Sequence, residues 1–230
     1  MAEYPTWLPA DRVYHSGAFS DMTIICADEK FQVHKVVVCS QSSFFNTVCS
    51  KPWGKSTQPA VDLSDDDVET VKRMIDFFYR GDYQDFESDK FTQHAQVFAI
   101  ATKYDIDKLA QKAAHKFWNA NIKCWDAEAF LKSVPIVYLG TPEQVLGLRD
   151  VATRCIRVHF TQLGGDADIQ ALWRETCTSN PTFAFHLLQS FHSSPFMAHC
   201  HKCGYGQAME VNQFQCLKCR GWKTSKKEVK

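Results

Sequence analysis

Residues 21–45 read DMTIICADEKFQVHKVVVCSQSSFF, and this stretch decides what kind of fold the chain adopts. MTIIC is β-branched and apolar, Ala27-Asp28-Glu29-Lys30 is a polar break, and FQVHKVVVC resumes with alternation at Phe31, Val33 and Lys35. Two extended runs about a polar turn predict a β-hairpin. SQSSFFNTVC then places a serine cap ahead of two adjacent aromatics, which predicts a short helix with Phe44 or Phe45 toward the core.

Moving outward, the chain becomes helical. KPWGKSTQPA, residues 51–60, carries proline and glycine and reads as a loop. In VDLSDDDVETVKRMIDFFYRGDY, Val68, Val71, Ile75 and Phe78 fall on one face of a 3.6-residue period, and Gly81 ends the helix. Asp65-Asp66-Asp67 stands where a helix N-terminus favours negative charge. With no His or Cys beside them, these aspartates read as a cap rather than a metal or catalytic cluster. FTQHAQVFAIATKYDIDKLAQKAAHKFWNAN reads as two helices broken around Tyr104-Asp105, with Ile106, Leu109, Ala113 and Phe117 marking the inner face of the second. Helical segments continue around AEAFLKSV, then TPEQVLGLRDVATRCIRVHF, then NPTFAFHLLQSF. Thr141-Pro142 and Asn180-Pro181 each put a capping residue before proline at the first helical position. Residues 1–19, with Pro5 and Pro9, promise no more than a turn or two of helix at DRVYHSG. The fold class expected is therefore α+β, a small β element followed by many helices.

Composition narrows the setting. Apolar residues make up 45% and charged residues 23%, which suits a globular chain and not a disordered one. No run approaches the roughly 18 apolar residues of a membrane span. MAEYPTWLPADR lacks the basic cluster and apolar core of a secretory signal. An intracellular location, nucleus or cytoplasm, is expected, without membrane association. In that reducing setting Cys26, Cys39, Cys49, Cys124, Cys155 and Cys177 read as small core hydrophobes. No G-x-S-x-G, H-E-x-x-H or phosphate-binding loop is present, so no enzyme is expected. His94, His115, His159, His186 and His192 sit in helical patterns as packed or exposed residues.

SDMTIIC, FQVHKVVVCSQSSFF, IDFFYRGDY and VFAIATKYDIDKLAQKAAHKF, in this order, resemble a BTB/POZ domain, and its fungal branch in particular, over residues 20–118. Residues 119–195 resemble the helical extension that often follows it. The resemblance implies an α/β module that binds proteins: another copy in a homodimer, another BTB domain, or the cullin scaffold of a ubiquitin ligase. It implies a charged pocket at Asp21 and Lys35, with His34 beside it, and interaction surface at Phe44, Phe45 and Trp53. The alternative for the first three is that Asp21 caps the strand, His34 packs in the core and Lys35 is simply exposed. Pro5 and Pro9 argue against the long leading helix of strongly swapped family dimers. Lys55, after Trp53 and Gly54, stands where cullin-binding members carry glutamate, which argues against the adaptor role.

The last segment differs in character. From Phe196 onward there are seven Lys/Arg against two Asp/Glu, whereas the remainder carries 19 basic and 24 acidic residues. That shift marks a boundary near Pro195 and a fourth region, 196–230, after 1–19, 20–118 and 119–195. CHKCGYGQAMEVNQFQCLKC pairs Cys200 with Cys203 and Cys216 with Cys219 across twelve residues. Two C-x2-C knuckles fit a tetrahedral zinc-ribbon site, Gly204 easing the turn after the first pair. With four protein ligands the Zn2+ has no open position, so its role is structural. Rubredoxin-like iron, or His199 or His201 in place of a cysteine, also fits this donor pattern. Lys218, Arg220, Lys223, Lys226, Lys227 and Lys230, with Tyr205 and Trp222, are either a nucleic-acid contact surface or a solvated tail. Protein–protein interaction is the leading expectation, and nucleic-acid-associated regulation the alternative.

Overall fold

β1 (Met22–Cys26) and β2 (Glu29–Val33) form the expected antiparallel hairpin, with Met22 opposite Val33 and Cys26 opposite Glu29. The structure is a computed structural model that describes residues 9–50, 59–142, 145, 147–193, 197–200, 204–208, 213–215 and 222–224. Alternation decides which face is inside: Met22, Ile24, Cys26, Phe31 and Val33 are all buried. The hairpin is tighter than the sequence suggests. Glu29 and Lys30 join the ladder, so the connection is Ala27-Asp28 alone, with Ala27 at φ 49°.

The second strand also ends earlier than its alternation predicts. Lys35 does not continue β2 but opens α2 (Lys35–Val38). Three consecutive valines favour a strand by propensity, yet the Asp21 carboxylate accepts the Lys35 backbone N–H at 2.8 Å and turns the chain into a helix. α3 (Ser43–Ser50) follows, with the Ser42 hydroxyl accepting from the Phe45 amide and donating to the Tyr104 carbonyl. A third strand, β3 (Ala60–Asp62), begins at the end of the expected loop of residues 51–60 and was not anticipated from the sequence. It pairs parallel to β1, giving the order β2-β1-β3. Three residues are too few to show a period, so this strand leaves no pattern in the sequence.

The long helices match the sequence reading closely. α4 (Val68–Arg80) is capped by the Asp67 carboxylate, which accepts from the Thr70 amide. At its other end Gly81 adopts φ 70° and returns its N–H to the Phe77 carbonyl, a conformation that glycine takes without strain. Asp66 is drawn away from the cap by Lys103 and by the Tyr104 hydroxyl. α5 (Lys90–Lys103) and α6 (Asp107–Lys123) break at Tyr104-Asp105, and Asp105 takes a positive φ of 51°. Ile106, Leu109, Ala113 and Phe117 are all buried. α7 (Ala127–Leu139) carries Pro135 inside it, and its start packs Phe130 against Phe91 and Phe117.

Later boundaries depart from expectation. α8 (Gly147–Val158) begins at Gly147, not at the Thr141-Pro142 cap, because the Thr141 hydroxyl donates back to the Val137 carbonyl. A 3-10 turn (Phe160–Gly164) and α9 (Ala167–Ser179) follow, neither anticipated from the sequence. The Asp166 carboxylate caps α9 through the Asp168 and Ile169 amides. α10 (Pro181–Ser193) starts at the expected Asn180-Pro181 step. In the tail, β4 (Met197–Cys200) pairs with β5 (Gly204–Ala208), and β6 (Gln213–Gln215) with β7 (Trp222–Thr224), both antiparallel. The chain divides into two units, residues 1–151 and 152–230, with α8 running through the division. Among the described residues no helix is long and apolar enough to cross a membrane. Cys26 and Cys155 are buried, but Cys124 is exposed and is not a core residue.

His94 on α5 is 2% exposed, and burial pushes its imidazole down to about 4 from 6.5. The folded state therefore holds it neutral while the unfolded chain binds a proton near pH 6.5. Its stabilising contribution is complete above that value and is lost as pH falls toward 4. Urea titrations across this window should show a fall that flattens in His94→Gln, by on the order of 3 kcal/mol for the shift concerned.

Candidate protein-interaction site

His34 leaves β2 in an extended conformation and is 5% exposed. Its Nε2 lies 2.9 Å from the Ala18 carbonyl, which can only accept, so Nε2 carries the hydrogen. In the neutral ring Nδ1 is then an acceptor, 2.8 Å from the Tyr79 hydroxyl, which donates to it. The same hydroxyl accepts the His34 backbone N–H at 2.9 Å. Burial pushes the Tyr79 phenol up to about 12, so it retains the proton this arrangement needs. One tyrosine on α4 thus holds the end of β2, and His34 holds the connection between β1 and α1 (Pro9–Ser16). Tyr14 of α1 stacks on the Tyr79 ring at 4.7 Å between centroids.

This network presents apolar surface. Phe19 follows the pinned Ala18 at φ 65°, a left-handed conformation that is unfavourable for a bulky aromatic, and is 93% exposed. Val36, two residues past His34, is 79% exposed. Large apolar groups held outward from a rigid frame, one of them in a strained backbone, are features of contact surfaces. Neither residue stands out in the sequence: Phe19 lies in an unpatterned stretch and Val36 hides in a valine run. Tyr79 was equally invisible, being one aromatic among three in FFY.

The residues singled out from the sequence divide accordingly. Asp21 engages the backbone of Lys35, not its ammonium, and Lys35 has no ion pair among the described residues. His34 is a doubly bonded buried group. Phe45 has no exposed surface and serves the core, edge-on to Phe78, whereas Phe44 is half-buried against Tyr104 at 4.9 Å. Trp53, with Gly54 and Lys55, lies outside the described residues, as do Cys203, Cys216 and Cys219. The backbone of Cys200 is the last residue of β4, opposite Gly204. Among the described residues no group of three His, Cys, Asp or Glu is placed to hold a metal ion.

Residues 10–120, from α1 through α6, match the family described as BTB/POZ domain. Those residues, just under half of the chain, are a BTB/POZ domain. Kelch repeat and BTB domain-containing protein A55 of vaccinia virus is 32% identical over 65 residues, 28% of this chain and 12% of that protein. Protein tramtrack, alpha isoform, of Drosophila melanogaster is 33% identical over 73 residues, 31% of this chain and 9% of that protein. The chain thus matches only about a tenth of the length of these relatives.

Because Tyr79 makes both bonds at once, Tyr79→Phe leaves a buried amide and a buried ring nitrogen unanswered. The variant should lose about 1–3 kcal/mol in denaturant unfolding, with little change in volume to offset it.

Proposed function

We propose that this chain is a non-enzymatic protein-interaction subunit, that its BTB/POZ domain associates with a second copy, and that zinc organises its tail. The observation that carries the first part is the exposed pair Phe19 and Val36, held outward by the His34–Tyr79 network within the matched domain. Burying both side chains against a like surface gains roughly 1.5–3 kcal/mol each, enough to matter when repeated across a two-fold axis. Sedimentation analysis of the full chain should give a concentration-dependent dimer. Phe19→Asp with Val36→Asp should shift it to monomer without changing the far-ultraviolet circular dichroism. A strict monomer at high concentration overturns self-association.

Support for the zinc reading comes from sequence and backbone together. β4 ends at Cys200 and β5 begins at Gly204, so the first C-x2-C occupies the connection of an antiparallel pair. β6 ends at Gln215 and β7 begins at Trp222, and the second pair falls between them. Cys200, Cys203, Cys216 and Cys219 would hold the ion. Strands of three to five residues bury too little to fold alone, whereas zinc supplies about 10–16 kcal/mol to such segments. Elemental analysis should find one zinc per chain. Cys203→Ser with Cys219→Ser should lose it and expose residues 196–230 to protease, leaving the BTB/POZ domain's melting transition unchanged. Purified chain without stoichiometric metal, or with iron, overturns the zinc assignment.

A further inference from the structure

The groove between the start of α5 and the end of α6 is lined by Asp85, Lys90, His94, Lys116, Lys123 and Cys124 and encloses a cavity of about 70 Å³. His94 is almost wholly buried, yet only one of its ring nitrogens has a partner among the described residues. Nδ1 lies 2.9 Å from the Tyr83 hydroxyl. Burial, reinforced by Asp85 and Asp82, keeps that phenol protonated, and Nδ1 is the hydroxyl's sole partner among the described residues. The O–H therefore donates to Nδ1, which places the ring hydrogen on Nε2. Nε2 has no hydrogen-bond partner among the described residues, and His94 lines the cavity. The Nε2–H is therefore available to an acceptor that enters from the cavity.

Charge around the cavity is similarly unbalanced. Lys116 donates to the Tyr83 carbonyl and lies 2.8 Å from Asp85 and 3.0 Å from Asp82. Lys112 stands 3.5 Å from Asp82. These two lysines answer the two aspartates. Lys90 and Lys123 have no ion pair among the described residues, and both line the cavity. Two uncompensated ammonium groups and a neutral N–H donor suit a dianion with several acceptor oxygens. A monocarboxylate would leave one charge unmatched, and a cation would be repelled.

We propose that the cavity between α5 and α6 binds a phosphate-type oxyanion, free or as a phosphomonoester, held by Lys90, Lys123 and the Nε2–H of His94. Asn119 adds an amide at the wall. The site uses none of the surface around Phe19 and Val36, so it stands whether or not the chain self-associates.

The test is titration of the full chain with inorganic phosphate at constant ionic strength, read by calorimetry and by the ring-nitrogen resonances of His94. Saturable heat and a saturable shift of Nε2 are expected. Lys90→Gln with Lys123→Gln should weaken binding by about tenfold per lost charge-assisted bond. Its melting temperature in phosphate-free buffer should match the wild type, because neither side chain has an ion-pair partner to lose. A phosphoserine peptide that binds more tightly than phosphate assigns the site to a phosphomonoester. Weaker peptide binding with phosphate binding retained assigns it to the free oxyanion. No saturable response of His94 at millimolar phosphate, or undiminished binding by the double variant, overturns the proposal.

Discussion

A buried imidazole with both nitrogens committed is the constraint on which the first unit depends. His34 joins three parts of the chain that are distant in sequence: the connection after α1, the end of β2, and Tyr79 on α4. Leaving any of these groups unpaired in the interior costs more than a made bond gains, so the arrangement has one solution rather than several near-equal ones. Its tautomer follows from the carbonyl it faces, and the tyrosine's role follows from the tautomer. The direction of the chain at Lys35 then follows from the Asp21 carboxylate beside it.

Where periodicity was long, the sequence was explicit. α4, α5 and α6 each repeat their apolar positions over three or more turns, and their breaks at Gly81 and Tyr104-Asp105 carry recognisable stop chemistry. Short elements were not legible. The turn into α2 depends on a carboxylate fourteen residues away, and β3 exists because β1 offers it a free edge. Thr141-Pro142 has the composition of a helix start, but its hydroxyl finds a nearer acceptor in the preceding helix. α9 has its cap in Asp166, a residue type that favours helix starts.

The candidate surfaces were legible to different degrees. Asp21, His34 and Lys35 were named from a resemblance, and they do cluster, but through the backbone of Lys35 and not its charge. Phe19 and Val36 emerge only once the network that holds them is known, since exposure is a property of the folded chain. The cavity between α5 and α6 was hidden for a similar reason: Lys90 and Lys123 are 33 positions apart in the sequence and line one cavity only once α5 and α6 pack together. The paired cysteines are the reverse case, a pattern explicit in sequence whose backbone setting is a pair of short hairpins.

The parallel pairing of β1 with β3 has a consequence for assembly order. Two antiparallel neighbours joined by Ala27-Asp28 can zip together at once, whereas Ala60 reaches Thr23 only after the intervening segment, α2 and α3 included, has been gathered in. Ring closure over that distance is entropically dear for a return of three residues of ladder. The outer strand therefore docks late, onto a platform already shaped by helices, and the sheet is a record of the collapse more than its cause.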